Sequence, residues 1–340
     1  MTAIGRRGLL AVLGAAVASN AFGPAAWAGS ARKPAAGDLT GTWTNAWYTK
    51  LERPKAFTSL VVTPAEAEAY AAPRRAHGGE LIGGADVLGQ NEAEFPDNGP
   101  GLARIRGELR SSWIVDPADG KIPWRPKTEA IQGLGKPSEN YDNVEARDTE
   151  ERCLTNPGAG APIINDHDAN LVQFVQTGDR RAGGFLAIYG EKNHQVRIVR
   201  IAPAGGPRIA AGASPDLWAA PPGDWLGNSV GHWEGATLVV ETTGLRPGIT
   251  MVNRGLLLSQ NSRVIERFAR TGPAEISYGF EITDETLFTQ TIRGEMVFRP
   301  AEGQIYEYAC HEGNYSLPGI LAGGRRAERD AMSAAKAAAK

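Results

Sequence analysis

Gly231-His232-Trp233-Glu234-Gly235-Ala236-Thr237-Leu238-Val239-Val240-Glu241-Thr242 places two β-prone runs on either side of a tight Glu-Gly-Ala turn, and a hairpin is its plain reading. Working outward, the same punctuation recurs. Leu171 to Gln176, Phe185 to Tyr189 and Gln195 to Ile201 lie upstream; Arg263 to Arg270, Ala274 to Ile282, Leu287 to Ile292, Glu295 to Arg299 and Gln304 to His311 lie downstream. Gln195 to Ile201 alternates apolar and polar residues, as a strand does with one face in a core and one in solvent. Turns at such short intervals predict a mainly β chain, its sheet curling into a barrel or sandwich.

The N-terminal half is less regular. Residues 29–37 read as a linker and Asp38 opens the folded part, a β-rich domain over 38–323. Leu60-Val61-Val62 is followed by Thr63-Pro64, which predicts a capped helix through Tyr70. Gly78 to Gly101 is a Gly-rich acidic loop. Ser111 to Val115 and Lys121 to Trp124 flank the turn sequence Asp116-Pro117-Ala118-Asp119-Gly120 and predict a second hairpin. The Gly/Pro/Ala-rich connector from Pro203 to Pro222 is the candidate subdomain boundary, and Gly324 to Lys340 reads as a helical tail.

Residues 1–28 predict an export signal: Arg6-Arg7 precede an Ala/Gly-rich apolar run, and Ala26-Trp27-Ala28 is a small-x-small cleavage site. The paired arginines suggest the twin-arginine route. The run is too short to span a bilayer as a stable anchor. A net charge of −2 without a basic block disfavours a nucleic-acid partner or a polybasic membrane patch. The expected product is periplasmic or secreted, binds a small molecule, and carries no cofactor. Its oligomeric state has no signal here.

The densest chemistry is Tyr306-Glu307-Tyr308-Ala309-Cys310-His311-Glu312-Gly313-Asn314-Tyr315. Cys153 and Cys310 are the only cysteines, and an even count in an oxidising compartment makes a disulfide the default reading. The alternative is a Cys310 thiolate activated by His311, but neighbours on a strand point to opposite faces. His311 is the candidate base and Glu312 the candidate acid or orienting group. Arg152, Asn314 and Tyr315 are candidates for polarising a substrate, and Trp225 and Trp233 for lining an apolar or sugar-stacking pocket. Gly227-Asn228-Ser229-Val230-Gly231 fits a nucleophile elbow literally, yet a hairpin follows it where a helix is needed. His311-Glu312 lacks the second histidine of a zinc-protease helix, and Asp166-His167-Asp168, His194 and His232 are scattered, so no metal site is expected.

Two resemblances add to this reading. The Trp225 to Thr242 stretch, with Glu151-Arg152-Cys153-Leu154, Glu266-Arg267-Phe268 and Tyr306 to Tyr315, resembles a family of exported bacterial β-rich proteins without an assigned activity. That family often has an acidic residue where Asn228 stands and arginine where His232 stands, which argues against catalytic parts for those two. Leu39 with Gly41-Thr42-Trp43 resembles the opening strand of lipocalin-like barrels, which implies a bend at Gly41 and a Trp43 plug at one barrel end. The expected fold is thus a lipocalin-like barrel or strongly twisted antiparallel sheet with few short helices and a C-terminal helix. The expected function is a hydrolase, lyase or isomerase using metal-independent acid-base chemistry on a small or medium apolar, aromatic or glycosidic molecule. A lipocalin-like periplasmic carrier of a hydrophobic ligand is the alternative, and a cell-envelope interaction domain a third.

Overall fold

The computed structural model describes residues 37–76, 99–126, 141, 143–147, 149–155, 158, 160–164, 171–179, 181–206, 225–246, 249–253 and 255–338. The export-signal reading, Asp166-His167-Asp168, Trp218 and most of the Gly78 to Gly101 loop lie outside them.

The strand series closes into a mixed barrel. Strands β1 (Gly41–Thr44), β6 (Leu171–Asp179), β7 (Gly183–Gly190), β8 (Val196–Ile201), β9 (Asn228–Glu234), β10 (Thr237–Thr243), β13 (Arg263–Gly272), β14 (Glu275–Thr283) and β15 (Ile292–Pro300) pair in that order. Pairing of β15 with β1 joins the ends. Full closure leaves this ring without a free edge. All pairs in it are antiparallel except β8 with β9. A parallel pair needs a long crossover, and the connector that the sequence offered as a subdomain boundary supplies it, joining hydrogen-bonded neighbours of one barrel.

Smaller elements flank the ring. β2 (Val61–Val62), β3 (Arg104–Ile105) and β4 (Glu108–Arg110) form a three-stranded sheet, and β11 (Ile249–Asn253) pairs with β12 (Leu256–Ser259). The helix after β2 runs from Pro64 to Ala76, past the expected Tyr70. Thr63 caps it as expected, and the cap is reciprocal: Thr63 N donates to Glu66 Oε2 at 2.8 Å, and Glu66 N donates to Thr63 Oγ1 at 3.2 Å.

The alternation of each strand explains the core. Ile276, Tyr278, Phe280 and Ile282 of β14 and Val264, Glu266 and Phe268 of β13 are buried at every second position. Phe174, Phe268, Tyr278 and Phe298 meet at ring-centroid distances of 4.9–5.7 Å. Large side chains therefore fill the barrel interior. Trp43 is buried in this cluster, and its indole N–H donates to Leu39 O at 3.0 Å.

Phe280 is accommodated because Gly294 stands directly opposite on β15. A Cβ at Gly294 would come within 2.1 Å of the Phe280 ring, whereas one at Gly279 meets nothing nearer than Gly294 O at 3.7 Å. Gly294→Ala is expected to cost about 2–3 kcal/mol through overpacking. Gly279→Ala is the control, expected within about 0.5 kcal/mol of the parent in urea unfolding.

Four sequence expectations need correction. The predicted 111–124 hairpin does not form: Ile114–Asp116 is β5, which pairs with β15, while Trp124 bridges to Phe288. The first arm adds to the barrel strand β15 and the second contacts the segment that leads into it. Leu287 to Ile292 and Glu295 to Arg299 are not two strands, since β15 is continuous from Ile292 to Pro300. Gln304 to His311 is not a strand either; it ends in the one-turn helix Cys310–Gly313, and the C-terminal helix starts at Ser316, earlier than Gly324. That helix is the longest, and no helix of the described residues is long and apolar enough to cross a membrane.

Candidate functional site

Two polar clusters stand out against the apolar core. One lies inside the barrel. Inward-facing Arg197 on β8 donates to both oxygens of inward-facing Glu266 on β13, at 2.5 and 2.9 Å, with side chains only 1% and 0% exposed. Tyr278 Oη donates to Glu266 Oε1 at 2.8 Å and accepts the Ile163 amide at 2.8 Å. Arg197 also reaches Thr242 Oγ1 at 3.2 Å, and Thr242 is hydrogen-bonded to Ser229 at 2.8 Å. Burial first, then the Glu266 charge, pushes the Tyr278 hydroxyl well above its ordinary range, although Arg197 and the Ile163 amide pull it down. Tyr278 therefore keeps its proton and donates. With each charge paired, the cluster reads as a fold-fixing network sealed from solvent. Ser229, 2% exposed, belongs to it and is no accessible nucleophile.

The second cluster is a junction where three chain segments meet. Cys153 and Cys310 are disulfide-bonded across a separation of 157 residues, and among the described residues no cysteine is free. The disulfide joins the 149–155 turn to the segment entering the C-terminal helix. The tip between β7 and β8 is the third party. Tyr306 N donates to Glu191 Oε1 at 3.2 Å, Tyr308 N to His194 Nε2 at 2.6 Å, and Gln195 Nε2 to Leu154 O at 2.9 Å. These side-chain acceptors on the tip take the amides of 306 and 308 that a neighbouring strand would otherwise bind.

The hydrogen bonds fix the protonation of His194. Its Nε2 accepts from the Tyr308 amide, so in the neutral ring the proton sits on Nδ1. Nδ1 lies 2.5 Å from Tyr189 Oη and donates to it. The phenolic proton of Tyr189 is then left without an acceptor among the described residues. Backbone strain gathers here as well. Arg106, Cys153, Asn193 and His194 are the non-glycine residues at positive φ among the described residues, and all but Arg106 lie in the junction. Each such residue costs about 1–3 kcal/mol, a cost typical of sites whose geometry serves something besides stability.

The sequence-named residues fall around this junction unevenly. His311 and Glu312 lie on the exposed one-turn helix, and Tyr315 is 84% exposed. Arg152 is half-buried beside Cys153. Asn314 donates from Nδ2 to Glu151 O at 2.8 Å and accepts the Leu317 amide at Oδ1, so its amide is engaged in positioning the C-terminal helix. Glu151 itself is held by Arg147 through two 2.7 Å bonds. The structure does not bring the tryptophans to one place. Trp225 precedes β9 and stacks under Arg246 at 4.6 Å, whereas Trp233 sits near the other end of β9 and packs on the core. No cluster of three or more metal-ligating side chains occurs among the described residues. His232 pairs with Glu234 at 2.9 Å.

Tyr189 and Arg197 were not singled out from sequence, and His194 was considered only as a scattered candidate metal ligand. For Arg197 a signal exists: Glu266 occupies an inward position between Val264 and Phe268, and a carboxylate there demands a cation. Such a fold and junction define a disulfide-tied mixed β-barrel. Comparison with protein-family models, curated proteins and solved structures gave no match.

Proposed function

We propose that this is an exported, periplasmic or secreted enzyme of hydrolase, lyase or isomerase type. It acts by general acid-base chemistry on a small or medium apolar, aromatic or glycosidic molecule at the disulfide junction. The observation that carries the reading is that the Cys153–Cys310 bridge and the Tyr308 amide tie the segment bearing His311 and Glu312 to the strained turn that holds the Tyr189–His194 pair. His311 is assigned the base and Glu312 the acid or orienting group, with Arg152 and Tyr315 at the rim. The disulfide fits an oxidising compartment. A carrier holding its ligand inside the barrel is less well supported, because aromatic side chains occupy that interior.

A panel of chromogenic aryl esters, aryl ethers and aryl glycosides provides the test. His311→Ala is expected to lower kcat/KM at least about 100-fold on any substrate turned over, with unchanged melting, since an exposed side chain is removed. Turnover that survives the substitution in a folded protein sinks the assignment.

A further inference from the structure

The groups that hold residues 304–309 differ in kind from those that hold the strands. Strand amides donate to backbone carbonyls, which bind no proton between about pH 5 and 8. The amides of Tyr306 and Tyr308 donate instead to side chains that titrate, Glu191 at 3.2 Å and His194 at 2.6 Å. None of residues 304–309 is buried, so packing does little to replace these bonds. The turn that presents the imidazole is itself strained, with Asn193 at φ 53° and His194 at φ 50°.

The two acceptors respond differently to acid. A carboxylate that takes up a proton keeps an accepting oxygen, whereas an imidazole that takes up a second proton keeps no acceptor. Nδ1 of His194 already donates to Tyr189, and protonation leaves that contact as it is. Nε2 is the atom that changes. Once it carries a proton, it and the Tyr308 amide are two donors aimed at each other, and they cannot stay 2.6 Å apart. The carboxylates of the elements packed here offer no such reversal: Glu150 lies 3.5 Å from Lys192, Glu151 is held by Arg147, and Glu191 accepts the Leu171 amide as well as that of Tyr306. Arg152 on the 149–155 turn carries a fixed charge, and Glu307 and His311 stand on the held segment and just beyond it.

We propose that residues 304–309 form a pH-operated latch on the junction, closed while the His194 ring is neutral and released when it is protonated. The Cys153–Cys310 bridge lies just beyond Tyr308, so the released segment stays tethered and recloses as the pH rises. On the acid-base reading of the junction, opening loosens the tie between His311 and the Tyr189–His194 turn; the latch itself stands without that reading.

Hydrogen exchange at about pH 8 and about pH 5 tests it on the full chain with the disulfide intact, each rate corrected for the intrinsic pH dependence of exchange. Protection over 304–309 should fall about five- to tenfold on acidification, the order of one hydrogen bond, while β13, β14 and β15 stay protected. His194→Gln places an amide oxygen that does not titrate near the Nε2 position and should remove the pH step. A variant closed at both pH values, or open at both, assigns the hold to residue 194, with melting at the higher pH confirming its fold. A step that survives in this variant overturns the proposal, as does a parent equally protected at both pH values. His311→Ala should keep the step; if it removes the step, His311 is the sensor and the assignment to His194 falls. Turnover that depends on His311 in a protein without the step leaves the acid-base reading standing and removes the latch. A step present with turnover indifferent to His311 does the reverse.

Discussion

Glu266→Leu should lose about 3–5 kcal/mol of stability, because it removes the carboxylate that both terminal nitrogens of the buried Arg197 guanidinium bind inside the barrel. The guanidinium would keep the weaker hydroxyl acceptors Thr242 at 3.2 Å and Ser229 at 3.4 Å. The Tyr278 hydroxyl would lose the acceptor it now donates to at 2.8 Å. Removing both charges is a different experiment. In Arg197→Met/Glu266→Leu the desolvation cost of two ions disappears along with their attraction, so most of the loss should return, to within about 1–2 kcal/mol of the parent. Urea unfolding followed by tryptophan fluorescence measures both. A double variant as unstable as the single one would mean that the ion pair contributes strongly favourable net energy, contrary to a pair kept for register. The distinction matters for function as well: a network that can be replaced by hydrocarbon is a device of the fold, which leaves the junction as the place for chemistry.

How much of this was legible differs by element, for physical reasons. β14 was readable because its strict alternation is the cause of its burial, while β10 was readable from its run of β-prone residues beside a tight turn. The Thr63 cap and the Cys153–Cys310 bridge were readable because each rests on a few residue types with one dominant use. The barrel was anticipated too, but its one parallel pair was not. Nothing local to β8 or β9 distinguishes a parallel neighbour from an antiparallel one; that pairing is settled by which strands remain when the rest have closed. Arg197 was hidden by its own strand, since Val196-Arg197-Ile198-Val199-Arg200-Ile201 puts an arginine on each face and defeats a simple inside-outside reading. Gln304 to Ala309 misled in the opposite way. Its aromatic alternation suits a strand, but Glu191 and His194 side chains take its amides, and no sequence rule anticipates acceptors more than a hundred residues away. The Tyr189–His194 pair was missed for the same reason: its meaning depends on the Tyr308 amide.

Reduction of Cys153–Cys310 should free the C-terminal segment while the barrel stays folded. A bridge across 157 residues contributes about 5 kcal/mol in the chain-entropy model. That full amount would be lost only if the native state kept both ends fixed after reduction. It need not, because no residue from 301 to 338 is buried: Leu317, Ile320 and Leu321 are half-covered, and hydrogen bonds to Glu191, His194 and Glu151 help to hold the segment. Once the tail detaches, the native state regains chain freedom too, so global stability should fall by about 2–4 kcal/mol, less than the model's maximum. Hydrogen exchange with and without dithiothreitol, repeated on Cys153→Ser/Cys310→Ser, separates the outcomes. The expected pattern is loss of protection over residues 304–338 and around Glu191 to Gln195, with β13, β14 and β15 still protected. Barrel amides that open together with the tail would show that the C-terminal segment is an integral wall of the fold. If the tail alone opens, His194 loses the Tyr308 amide that fixes its tautomer and the junction loses its geometry, tying the disulfide to the candidate site as well as to stability.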